Sequence, residues 1–122
     1  MERQVPGAKG SVMSVEFEIE GFKFMALNGG PMFAFSPAIS FFVNCQTQDE
    51  VDDLWAKLSA GGQIQQCGWL QDKFGVTWQI VPTILGEMLR DKDPAKANRV
   101  MKAMMRMVKL DIKGLKQAYE QG

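Results

Sequence analysis

Residues 38–45, AISFFVNC, run almost directly into residues 47–62, TQDEVDDLWAKLSAGG, and this junction decides the fold. The first piece is short and largely apolar, the pattern of a strand buried on both faces. Thr47 then opens a helix. Glu50 stands three residues on, at the capping-box spacing, so its carboxylate reaches back to the Thr47 amide. Val51, Leu54, Trp55 and Leu58 recur at i, i+3, i+4 and i+7 and give one core-facing stripe. Gly61 and Gly62 supply a left-handed stop.

Working outward, the segment from Ser11 to Glu20 alternates strictly. Met13, Val15, Phe17 and Ile19 fall on one face, and Ser14, Glu16, Glu18 and Glu20 on the other, as in a half-buried strand. Gly21 breaks it, Phe22 to Asn28 returns as the second arm of a hairpin, and Asn28-Gly29-Gly30-Pro31 ends that arm. Downstream, Gln63 to Leu70 and Val76 to Val81 read as two strands around the turn Gln71 to Gly75, with Pro82 closing the second.

The rest is helical. Ile84, Leu85, Met88 and Leu89 form a short amphipathic turn or two. Asp93-Pro94 has the N-cap and first-position chemistry of a new helix. Ala97, Val100, Met101, Met104, Met105 and Val108 follow at helical spacing, and Asp111 caps a last helix bearing Ile112, Leu115 and Tyr119. The expected architecture is α+β, an antiparallel-rich sheet with helices packed to one side, in a single domain over residues 1–122.

Composition bounds the chemistry. A chain of 122 residues, 46% hydrophobic with eight Phe and three Trp, has material for a core. Fourteen basic residues balance fourteen acidic ones, so no global field recruits nucleic acid or anionic lipid. No apolar run reaches the roughly 20 residues that span a bilayer, and residues 1–7 lack a signal-peptide stretch; the expected location is cytoplasmic. Cys45 and Cys67 form neither a disulfide framework nor a zinc pattern and read as buried thiols. There is no histidine, which excludes His-based triads, dyads, general bases and metal ligation together.

The segments AISFFVNC, TQDEVDDLWAKLSAGG, CGWLQDKFGVTWQIVP and TILGEMLRDKDPAKANRVMKAMMRMVKLDI resemble the PhnB-like branch of the glyoxalase/vicinal-oxygen-chelate superfamily, often labelled "3-demethylubiquinone-9 3-methyltransferase". FKFMALNGGP and FSPAISFF extend the likeness towards the N-terminus. The resemblance implies a curved mixed sheet built from βαβββ modules, the second over about residues 38–82, with a helical tail over about 83–120. It also implies an incomplete first module, because such proteins begin with a strand and helix ahead of the segment matching Ser11 to Glu20. An open sheet edge and apolar face would follow, covered by a second subunit in a homodimer. The methyltransferase label does not fit the glycines: Gly29-Gly30-Pro31 leads into an aromatic loop and Gly61-Gly62 ends a helix, so neither makes a nucleotide-binding turn.

Catalytic members of the superfamily hold a divalent metal with His and Glu. Carried over, those positions fall near Ala26, near Ala38 and at Gln79. A methyl group donates nothing and an amide oxygen is a weak ligand, so no metal cofactor is expected. The residues facing the same way as the lost ligands are then the candidate ligand-binding set: Asn28, Ser40, Phe42, Trp69, Thr77 and Gln79, with Asn44 on the same face by alternation. Each also has a structural reading: Phe42 and Trp69 as core, Asn28 as a strand-end cap, and the other three as polar groups needing partners. Trp78 should point the other way, against the Thr47 helix. The resulting expectation is a metal-free small-molecule-binding domain. Two alternatives stand beside it: a glyoxalase-type enzyme with a pocket shared between subunits, and a truncated structural or interaction module.

Overall fold

Glu20 and Gly21 reverse the chain with φ values of 50° and 81°, the pair of positive angles that two-residue hairpin turns of the I′ kind require. The strand expected to run through Glu20 therefore stops one residue earlier. β1 (Ser14–Ile19) pairs antiparallel with β2 (Phe22–Leu27). The computed structural model describes residue 10 and residues 12–121, and its chain forms two compact units that divide between Ala34 and Phe35. In the first unit the register sets Val15 opposite Ala26, Phe17 opposite Phe24 and Ile19 opposite Phe22. All these side chains share one face, and the Phe17 and Phe24 rings stack at 5.4 Å. The face is not half-buried as expected: Phe22 is 71% exposed. Among the described residues of its own unit, the hairpin has no second layer of secondary structure to pack on that face. The part of the expected strand at Ser11 lies outside the described residues.

The second unit begins with β3 (Ser40–Cys45), α1 (Gln48–Ser59), β4 (Gln63–Ile64), β5 (Trp69–Gln71) and β6 (Thr77–Pro82). The sheet order is β3-β6-β5-β4, with β3 parallel to β6 and the other pairs antiparallel. This is one βαβββ module in a mixed sheet.

β3 starts at Ser40 and not at Ala38, and it is not buried on both faces. It lies at an edge of the sheet, and Phe42 is 55% exposed. Only its other face is covered, where Cys45 and Val43 meet Val51, Trp55, Leu70 and Ile80 beneath α1. The α1 stripe packs as its spacing requires, with Leu54 and Leu58 flanking the buried Val51 and Trp55. Thr47 Oγ1 accepts the Glu50 amide at 3.2 Å, while the Glu50 carboxylate takes the Gln46 amide at 3.1 Å. The reciprocal half of the expected box has thus moved one residue upstream. Helix α1 ends at Ser59 with Ala60 as its cap, and Gly61 follows with a φ of 76°, the left-handed geometry glycine adopts without steric cost.

The expected strand from Gln63 to Leu70 is split. Cys67 and Gly68 take φ values of 60° and 84° and bend the chain between β4 and β5. Their amides donate to the carbonyls of Met107 and Val108, both at 2.8 Å. A Cβ on Gly68 would lie 2.9 Å from a Leu110 methyl and 3.0 Å from the Ile80 oxygen. The bend therefore exists to seat the tail.

That tail consists of α2 (Thr83–Leu89), α3 (Pro94–Met105) and α4 (Ile112–Glu120). Its core joins Val81 with Leu85, Met88, Val100, Leu110 and Leu115. Asp93 and Asp111 cap α3 and α4 as their positions predict. The long apolar stripe of α3 is corrected: the helix stops at Met105, Val108 lies beyond it, and Met105 is 61% exposed. Gln48 stitches α1 to the tail by accepting the Ile112 amide at 2.7 Å and donating to the Leu110 carbonyl at 3.1 Å. Asp52 adds an ion pair to Lys109 at 2.7 Å, and the ammonium hydrogen bond holds its carboxyl below the usual range. Among the described residues no helix is long and apolar enough to cross a membrane.

Candidate functional site

Alternation sorts the four-stranded sheet into two faces. Phe41, Val43, Trp78, Leu70 and Ile80 take the α1 side. Trp78 lies there as expected, with its indole N–H donating to Asp72 at 2.9 Å and its ring 5.1 Å from Phe41. The opposite face carries Ser40, Phe42 and Asn44 on β3, Thr77, Gln79 and Val81 on β6, and Trp69 on β5. Register places Phe42 beside Gln79 and Gln79 beside Trp69. These three stand in a row across three strands, with the amide between two aromatic side chains.

A concavity of about 600 Å³ opens over that row. Phe42, Asn44, Trp69 and Gln79 form its sheet side, and Leu85, Gly86, Leu89 and Arg90 bring α2 and its C-cap over it. Met104 closes it from α3, and Cys67 enters from the bend before β5. The lining is mainly apolar with a few polar atoms, the usual makeup of small-molecule sites.

The structure separates the six candidate residues into three groups. Phe42, Trp69 and Gln79 line the concavity. Ser40 stands beside the lining on the same face: its hydroxyl accepts a 2.9 Å hydrogen bond from the Gln79 amide nitrogen and so fixes which way that amide points. Thr77 shares the face but is 1% exposed, outside the lining, and its hydroxyl has no hydrogen-bond partner among the described residues. Asn28 belongs to the hairpin unit. Its backbone amide donates to the Met13 carbonyl at 2.8 Å and its side chain to the Val12 carbonyl at 3.4 Å, the work of a strand end.

Sequence reasoning missed the α2 wall, Arg90 above all. In the sequence Arg90 heads a tail in which Lys92, Lys96 and Arg99 follow at short intervals, and nothing local sets it apart from them. Yet α2 starts at Thr83, directly after β6, which brings its side chains back over the sheet. Arg90 is the C-cap, and the room for its guanidinium comes from Gly86: a Cβ there would sit 3.1 Å from it. Arg90 makes no ion pair or side-chain hydrogen bond among the described residues. Its acidic neighbours are directed elsewhere. Glu87 lies with Met88 and Tyr119 on the far side of α2. Asp91 accepts from the Tyr119 hydroxyl and, at 2.9 Å, from the Asp93 amide. Those two hydrogen bonds, the Tyr119 one foremost, hold the Asp91 carboxyl below its usual range, and the same contact raises Tyr119.

The two thiols differ. Cys45 is buried, and desolvation with a smaller push from Glu50 raises its pKa. Cys67, expected to be buried as well, is half-buried at the concavity because the bend turns it outward. Among the described residues, no three His, Cys, Asp or Glu side chains gather closely enough to hold a metal ion.

The family described as 3-demethylubiquinone-9 3-methyltransferase matches residues 1–81. A PhnB protein from Bacillus cereus, which carries that methyltransferase name provisionally, is 33% identical over 68% of this chain and 74% of its own, with a TM-score of 0.58. A protein from Pseudomonas aeruginosa shares the fold at 22% identity and a TM-score of 0.52, over 62% of this chain and 68% of its own. None of the curated proteins matches the sequence. With two-thirds of its length inside the family's pattern and the βαβββ module in place, the chain belongs to the 3-demethylubiquinone-9 3-methyltransferase family, in its PhnB-like branch.

Proposed function

We propose that the chain is a small-molecule-binding domain that works without a divalent metal and takes its ligand in the concavity between β3, β5, β6 and α2. The observation that carries this is the row Phe42–Gln79–Trp69 roofed by α2. It presents flat apolar surface on both sides of one oriented amide, and a ligand buries area there while meeting a fixed polar group.

The donor set argues against a metal at the superfamily's position. Gln79 stands where a carboxylate is wanted, and its amide nitrogen is committed to Ser40. Ala38 and Ala26 bring only methyl groups, and the chain has no histidine. One amide oxygen does not hold a transition metal. The family's methyltransferase name is not adopted as an activity either. The glycine pair at 61–62 follows α1, and no strand runs through a glycine-rich turn into a helix N-terminus among the described residues.

A homodimer is part of the same reading. Val15, Phe17, Ile19 and Phe22 share one hairpin face and are exposed, the kind of apolar patch that marks an interaction surface, and a second copy is their proposed cover.

A thermal-shift screen across a broad metabolite panel, run with elemental analysis of the purified protein, tests the proposal. A binder raises the melting temperature by mass action. The expected result is at least one small-molecule hit and no stoichiometric divalent metal. A panel with no hits, or one equivalent of bound metal, would overturn it.

A further inference from the structure

We propose that the ligand of this concavity is a planar carboxylate of one or two rings, its flat body over the Phe42–Gln79–Trp69 row and its carboxylate on Arg90. This rests on the reading of the concavity as a ligand site and adds the ligand's chemical class.

Three features converge on that class. The first is the spacing of the row. Adjacent strands lie about 4.8 Å apart, so Phe42 and Trp69 stand roughly that far on either side of Gln79. A flat ring laid over the amide reaches both. Phe42 is the open member of the row, more than half exposed while its partners are half-buried. A flat apolar ligand would cover the part of it now facing solvent.

The second feature is charge. Arg90 is the only charged side chain in the lining, which includes no carboxylate. Asp91 is taken up by Tyr119 and the Asp93 amide, and Glu87 faces away, so neither neighbour neutralises the guanidinium. A guanidinium without a protein partner, at the edge of an apolar hollow, selects an oxyanion, and its planar fork suits the two oxygens of a carboxylate.

The third feature is Gly86. Its missing side chain leaves the guanidinium room over α2, at a point where even a Cβ would approach to 3.1 Å. The far wall, Leu85, Leu89 and Met104, is apolar. It offers nothing to a second charge or to a sugar. The Gln79 carbonyl oxygen and the Asn44 amide, with the Cys67 thiol beside them, fit one hydroxyl or keto group on the ring.

The experiment compares 2-naphthoate with its neutral isostere 2-naphthamide by calorimetric titration against the wild type, Arg90→Gln and Arg90→Lys. Arg90 makes no contact that the fold needs, and circular dichroism with melting curves checks that the variants remain folded. The wild type should bind naphthoate roughly tenfold or more tightly than naphthamide. R90Q should bring the two affinities together and R90K should keep part of the gap. Equal binding of both probes by the wild type, or an undiminished naphthoate preference in R90Q, overturns the carboxylate assignment and leaves the pocket reading standing. Binding of neither probe at millimolar concentration also overturns it, and the metabolite panel then judges the pocket separately.

Discussion

Gln79 and Ser40 meet across the parallel β3–β6 pair, the amide nitrogen of one donating to the hydroxyl of the other at 2.9 Å. The contact decides what the concavity offers a ligand: with the nitrogen drawn towards β3, the carbonyl oxygen is the atom left to accept. Ser40→Ala frees the amide to rotate and present either atom. A double-mutant cycle of S40A and Q79A should give a coupling of about 1 kcal/mol in unfolding free energy, the net worth of one half-buried hydrogen bond. Additive losses would mean that the two side chains act independently.

Gly86 ties stability to recognition in opposite directions. It sits inside α2, where glycine costs up to about 1 kcal/mol relative to alanine. Gly86→Ala should therefore raise the melting temperature by a few degrees. The added methyl also crowds the Arg90 guanidinium, which must give by a few tenths of an ångström and loses its present seat over α2. Calorimetry should find naphthoate affinity reduced towards that of naphthamide. A variant that is more stable and binds naphthoate unchanged would show that Arg90 does not need the space over Gly86.

How far the sequence foretold this site follows from where each signal is stored. Period-two alternation reports a face, so Phe42, Gln79 and Trp69 were legible together, and so was the opposite direction of Trp78. The helix at Gln48–Ser59 was legible because its cap, stripe and stop are all local. Burial was not, since the apolar run of β3 reads alike for a central strand and for an edge strand such as this one. The break at Cys67 was hidden for another reason. Its cause is the docking of Met107 and Val108, some forty residues on, and no local pattern carries that contact. Arg90 was lost among basic neighbours because a side chain's charge does not say which way its helix faces.

The Asp91–Tyr119 contact gives stability a defined pH window. The Asp91 carboxyl lies below its usual 3.8, so its contribution is full above that value and is lost as pH falls through the lowered pKa. Tyr119 lies above its usual 10.0, so its contribution is full below that value and is lost as pH rises through the raised pKa. Tyr119→Phe removes the tyrosine's effect and the foremost cause of the carboxyl's, leaving the Asp93 amide bond in place. Melting curves should show the wild type ahead of Y119F by a constant margin between about pH 5 and 9, narrowing beyond either end. A margin that stays flat into strong acid would show that the hydroxyl does not hold Asp91.

The thiols should react in sequence. Cys45 is buried and its pKa is raised, which disfavours the thiolate that attacks a disulfide reagent. Cys67 is half-buried at the concavity. Titration with a chromogenic disulfide should release one equivalent promptly and the second only on unfolding. Cys67→Ser should abolish the prompt phase, and saturating 2-naphthoate should slow it if the ligand lies over β5. Prompt reaction of both thiols would contradict the packing of β3 beneath α1.

The hairpin makes the strongest demand on a partner. Two strands alone are at best marginally stable in water, yet β1 and β2 keep Val15, Phe17 and Ile19 on one face with Phe22, Phe24 and Ala26 opposite. The reverse face sets Glu16 opposite Met25 and Glu18 opposite Lys23, so charge interrupts it where the first face is apolar throughout. If a second copy covers the apolar side, the wild type sediments as a dimer at micromolar concentration. Phe17→Lys, which places an ammonium at the centre of that side, converts it to monomer. Glu16→Gln removes a charge from the other side and should leave the dimer intact. A wild type that is monomeric at every concentration, or equal dissociation by both variants, would refute the dimer, because only a buried apolar face distinguishes position 17 from position 16.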